Sequence, residues 1–139
     1  EAYPEPSVEL DTTTYPVHPG DQITVTLSST AVLWTLTIHN LTANWTSTNT
    51  TPLVTAGESA EWIEEAPLSV GAGGSGEATL SNFGSVGFSG LTANGVNPEL
   101  TTNDGIVMIG SNSKVIASPS LPGPSGNSFT DCYGAGACN

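Results

Sequence analysis

The sequence predicts an all-β protein built as an antiparallel sandwich or barrel. Short apolar or alternating runs recur along its 139 residues, turn-forming Pro, Gly and Asn clusters separate them, and the i, i+3, i+4, i+7 period of a helix is absent throughout.

The first run, DQITVTLSS (21–29), follows the turn HPGD, and AVLWTLTIHNL (31–41) comes next. SAEWIEE (59–65), EATLSNF (77–83) and SVGFSGL (85–91) form the middle of the chain. GIVMIGS (105–111) follows NPELTTNDG, and KVIASPS (114–120) precedes LPGPSGN. The glycine-rich SVGAGGSG (69–76) has no following Lys and no strand-to-helix setting, so it reads as a mobile hairpin loop and not a phosphate loop. Directly after an acidic strand, it is placed to act as a flap.

The length fits one domain, residues 1–139, with no internal repeat or clear linker. One Lys, no Arg and thirteen acidic residues give a formal charge of -12, which argues against nucleic acid or an anionic membrane surface as partner. No transmembrane run is present. In strong acid the carboxylates become neutral and few cations remain to repel one another, so the composition suits an acidic medium. Cys132 and Cys138 flank a Gly-containing turn without nearby His, which favours a disulfide closing residues 132–138 over a zinc site. Triplets at Asn40, Asn44 and Asn49 match the N-glycosylation pattern. These features predict a secreted, extracellular protein.

The acidic run 59–65 holds the chemistry of interest. As a strand it places Glu61, Ile63 and Glu65 on one side and Trp62 and Glu64 on the other. Glu61 and Glu65 then stand about 13 Å apart, too far for a carboxyl pair acting on one bond. A functional carboxyl here needs its partner from another strand. Without further information, the favoured reading of Glu65 is a solvated acid that discourages edge pairing. His18 and His39 have no ligand-type neighbours at metal spacing, and no Ser has a nucleophile-elbow setting, so no metal or other cofactor is expected.

Four landmarks in order, EAYP at the start, GDQI (20–23), AEWIEE (60–65) and NFGSVGF (82–88), followed by SFT (128–130), resemble the eqolisins, the glutamic peptidases. The resemblance spans nearly the whole chain but only the C-terminal two-thirds of the family domain. It implies a sandwich of two packed antiparallel sheets, concanavalin-like and of jelly-roll type, completed by a separate N-terminal segment. It also implies a polypeptide substrate and hydrolysis of peptide bonds by a Glu/Gln pair in acid. The catalytic glutamate falls on Glu65, while Glu61 and Trp62 are structural, with Glu61 hydrogen-bonded behind the site. Tyr3 and Glu1 fall on a motif that lines the substrate cleft. The family's catalytic Gln lies upstream of that motif, and Gln22, the one glutamine in the sequence, does not match it. A bound N-terminal fragment of the same precursor is therefore expected as partner. The rival expectation is a non-catalytic extracellular β-sandwich, a binding or adhesion module.

Overall fold

The computed structural model describes residues 9–30, 32–55, 57–66, 68–71, 74–134 and 138. Among these residues every strand pairing is antiparallel, and a 3-10 turn spans Thr102–Asp104. The chain divides into two compact units, Glu1–Glu58 and Ser59–Asn139.

The first unit is a three-stranded meander: β1 (Ile23–Thr30), β2 (Leu33–Asn40) and β3 (Trp45–Pro52). Strict alternation sorts its two faces. Val25 pairs with Ile38 and Leu27 with Leu36 on the apolar face. On the other, Thr26 pairs with Thr37, and Thr37 and Thr35 pair with Thr48 and Thr50. The hydroxyls of the last two pairs lie 3.4 Å apart, contacts of the kind worth about 0.2–1 kcal/mol each. β3 was not among the runs predicted from apolar pattern. Its WTSTNTTP is built from β-branched threonines that fit a pleated surface, and pairing with β2 decides its conformation.

One end of this sheet is knotted by Asn40, which has no solvent exposure. Its amide nitrogen donates to Asp21 Oδ2 at 2.7 Å and to the Pro16 carbonyl at 3.4 Å, and its oxygen accepts from the Thr42 and Ala43 backbone amides. Trp45 Nε1 donates to the same Pro16 carbonyl at 2.7 Å, and Tyr15 packs edge-on against Trp45. The HPGD turn thus closes on the hairpin between β2 and β3. Asn40 in this state is inaccessible to glycosylation, whereas Asn44 and Asn49 are exposed.

The second unit holds the hairpin β4 (Leu68–Gly71) and β5 (Gly74–Glu77), then β6 (Ser85–Ser89), β7 (Met108–Ile109), β8 (Val115–Pro119) and β9 (Ser128–Tyr133). The last four form one sheet in the order β6-β9-β8-β7. The segment expected to be a mobile loop therefore contains a paired hairpin, Leu68 opposite Glu77. Two expected strands shrink. Of residues 77–83 only Glu77 is laddered, and of 105–111 only Met108 and Ile109, where a register shift interrupts the pairing. The rest of 77–83 serves as packing, with Leu80 buried beside Ala66 and Ala117 and with Phe83, Met108, Ile116 and Tyr133 around them.

Phe88 and Phe129 stack at 4.8 Å across β6 and β9, and Phe83 meets Tyr133 edge-on at 6.1 Å. The predicted turn at 121–127 is present: Gly123 donates to the Ser128 carbonyl, and Gly126 sits at φ +66 beside the Glu99 backbone. Cys132 and Cys138 are disulfide-bonded, as expected, with Cα atoms 5.6 Å apart.

Candidate active site

The AEWIEE segment opens the second unit and ends at Ala66 in its apolar cluster. It keeps the in-and-out alternation of a strand: Glu61, Ile63 and Glu65 are exposed, Trp62 and Glu64 half-buried, Ala66 buried. It is nevertheless no ladder strand, contrary to expectation, because no strand among the described residues pairs with it. Side-chain burial holds it, with Ala66 as anchor.

The exposed side thus carries two carboxyls. Glu61 accepts from the Ser59 hydroxyl at 3.4 Å. Like Glu65, it is exposed. Glu1 and Tyr3 lie outside the described residues. Gln22 belongs to the first unit, where its backbone amide donates to the Thr42 hydroxyl and its carbonyl accepts from Leu41.

The buried side carries what sequence reasoning missed. Asp131 on β9 is only 7% exposed and stands opposite Val86 of β6 and Pro119 of β8. Removal from water pushes its carboxyl above the ordinary carboxylate range. The backbone amides of Cys132, at 3.0 Å, and of Glu64 favour its charge and partly offset that push. Burial likewise raises the carboxyl of Glu64, and the charge of Asp131 raises it further. A signal for this pair existed in the sequence. Phe129, Asp131 and Tyr133 alternate onto one face, so a carboxyl occupies an apolar register position.

Other candidates lie apart from this segment. His18 has its Nδ1 3.9 Å from Asp21 and an exposed ring. It helps line a hollow of about 400 Å³ with Leu10, Tyr15, Pro16 and Trp45, and a second hollow of about 370 Å³ lies over Phe88, Leu121 and Phe129. Glu65 lines neither. Among the described residues no cluster of three His, Cys, Asp or Glu side chains has the proximity a metal ion needs, and no helix is long and apolar enough to cross a membrane.

Comparison with known proteins gives this arrangement its class. The model of the peptidase A4 family matches residues 1–130. The crystal structure of aspergilloglutamic peptidase from Aspergillus niger is similar, at 30% identity and a TM-score of 0.62 over 84% of this chain and 68% of that one. No curated protein matches significantly. The fold and the glutamate-bearing segment therefore define a β-sandwich hydrolase, a glutamic peptidase in type. The chain belongs to the peptidase A4 family.

Proposed function

We propose that the protein is a secreted, acid-acting endopeptidase in which Glu65 is the catalytic carboxyl and a glutamine outside these 139 residues is its partner. The observation that carries this reading is the exposure of Glu65 on the open side of the AEWIEE segment, in a chain of the peptidase A4 family.

The Glu65 carboxylate takes a proton from a water molecule whose oxygen attacks the carbonyl carbon of the scissile peptide bond. The same carboxyl then gives that proton to the amine nitrogen as the carbon–nitrogen bond breaks. The partner's amide orients the water and stabilises the oxyanion of the tetrahedral intermediate. A group that exchanges protons in each turnover works best near its own pKa, which for a carboxyl lies in acid. The charge of -12 with a single Lys is consistent with that medium. Glu1 and Tyr3 line the substrate cleft in this reading.

The test is proteolysis of a denatured protein substrate across the acid range, with mass spectrometry of the purified material under denaturing conditions. Acid cleavage that resists pepstatin and chelators, vanishes in Glu65→Gln and accompanies a second peptide containing Gln supports the reading. A folded chain without partner and without cleavage would favour the binding-module alternative.

A further inference from the structure

We propose that the free edge of β6 is a docking site for an extended segment of the polypeptide substrate, which adds to the sheet as a further strand and lowers one neutral side chain into the hollow beside it. The inference deepens the peptidase reading and rests on it for the identity of the ligand. Edge and hollow belong to the same unit as Glu65.

The edge is open, and its polar groups point outward. β6 ends the order β6-β9-β8-β7, and among the described residues no strand pairs with its other side. Where the β6–β9 ladder begins, the Tyr133 amide donates to the Gly84 carbonyl at 2.9 Å. In an antiparallel ladder such bonded positions alternate with positions whose N–H and C=O face away from the partner. Gly84, Val86 and Phe88 therefore face β9, and Ser85, Gly87 and Ser89 turn their amides and carbonyls to the free side. All three are exposed. Natural sheets blunt such edges with charge, proline, bulges or shortness. The opposite edge of this sheet obeys, since β7 is Met108–Ile109 alone and carries a register shift. β6 does not: SVGFS has neither charge nor proline, and the sequence holds no charged residue from Ala78 to Pro98 although thirteen acids lie elsewhere in the chain.

The hollow of about 370 Å³ supplies the second half of the site. Gly87 stands opposite Thr130 and Ser89 opposite Ser128, so these four share one face of the β6–β9 pair, and all four line the hollow. The turn after β8 adds the exposed Leu121 to the lining and is tied to β9, the Ser120 amide donating to the Thr130 carbonyl and the Gly123 amide to the Ser128 carbonyl. The space at Gly87 is unfilled, because a Cβ there would meet nothing within 4 Å. Among the described residues no charged side chain lines the hollow. A row of outward N–H and C=O groups recognises an extended main chain of any sequence, and a hollow beside it selects among the alternate side chains. Hydroxyls and one leucine suit a neutral side chain and disfavour a charged one that would lose its water. The ligand offering both features is a polypeptide, on which a peptidase of the A4 family acts.

The experiment measures binding of a fluorescein-labelled peptide of about six neutral residues, the length of one strand, to the purified protein carrying Glu65→Gln, which binds without cleaving. A strand added to β6 uses every second amide of its own. N-methylation within one alternate set of peptide amides should therefore weaken binding about fivefold or more, and within the other set leave it unchanged. Gly87→Pro removes the central outward N–H without touching the β6–β9 ladder, and should weaken binding about fivefold to tenfold. With Glu65 intact, the same substitution should raise KM for acid proteolysis by that factor and hold kcat. Should Gly87→Pro not fold, the N-methyl series reads the edge in the unaltered strand. Equal sensitivity to both sets of N-methyl groups, or undiminished binding by folded Gly87→Pro, overturns the proposal. So does a dimer in sedimentation equilibrium that Gly87→Pro dissolves, because a second copy then occupies the edge. Proteolysis without the alternating pattern removes the docking site and leaves the peptidase reading. The alternating pattern without proteolysis by wild type removes the peptidase reading and supports the docking site.

Discussion

Asn40 donates from its amide to Asp21 Oδ2 at 2.7 Å, and through this bond a side chain with no solvent exposure joins the turn before β1 to the hairpin after β2. The Asn40 side chain makes four hydrogen bonds, all to groups that would otherwise compete for water. Replacing it with Ala leaves the Thr42 and Ala43 amides and the Asp21 carboxylate short of a partner. A loss of about 1–3 kcal/mol is expected, read from urea denaturation. A glycan on Asn40 is incompatible with the same site. Glycopeptide mapping of material secreted from a eukaryotic host should find Asn40 bare, with any modification at Asn44 and Asn49.

What was legible in the sequence was periodicity. ITVTLSST and LWTLTIHN alternate so regularly that their pairing register follows, and SVGFS, VIASP and SFTDCY stand as strands where the pattern or the family motif put them. Illegible was what only a neighbour decides. WTSTNTTP carries no apolar rhythm and is a strand because β2 pairs with it. SAEWIEE has the rhythm and lacks the ladder. At the candidate site, Glu65 stands out in the sequence only through its motif. Asp131 does not stand out, because a lone carboxyl in an apolar strand has the same pattern as a solvent-facing residue. Burial came from β6 and β8, far away in sequence.

Gly126 is required by its backbone. It adopts φ +66, and a Cβ there would stand 3.0 Å from the backbone of Glu99 and Leu100. Gly126→Ala therefore combines left-handed strain with a clash that no flexible side-chain tip can relieve, since the neighbours are main chain. Destabilisation of more than about 1 kcal/mol is expected by thermal melting, against a small effect for Gly87→Ala, where a Cβ meets nothing within 4 Å.

Glu61 and Glu65 share the open side of one segment, and substitution separates them. Both are exposed, so neither change to Gln should move the melting temperature by more than a degree or two, the surface range being about 0.5 kcal/mol. Glu65→Gln is expected to lower kcat/KM for acid proteolysis by at least about a hundredfold, the usual size of a lost general acid–base group. Glu61→Gln should keep most of it. Equal losses in the two variants would remove the special role assigned to Glu65.

Stability against pH should rise and then fall within the acid range, because two sets of carboxyls oppose one another. Hydrogen bonds from Asn40 and the His18 backbone hold Asp21 below its ordinary pKa, and bonds from Thr13 and Thr14, and from Thr101, do the same for Asp11 and Asp104. For these groups the unfolded chain binds protons more readily. The stability they contribute is present above about 3.8 and is lost as pH falls through their folded values. Burial acts oppositely on Asp131 and Glu64, whose folded forms hold the proton longer. Their contribution is fullest below about 3.8 and 4.5 and declines as pH rises from there to their folded values. Melting temperatures measured from about pH 2 to about pH 7 should therefore pass through a maximum. Asp21→Asn should flatten the acid limb and leave the other in place, whereas Glu64→Gln should flatten the limb at higher pH. A variant that shifts the whole curve without changing either slope would show that its carboxyl does not titrate with folding.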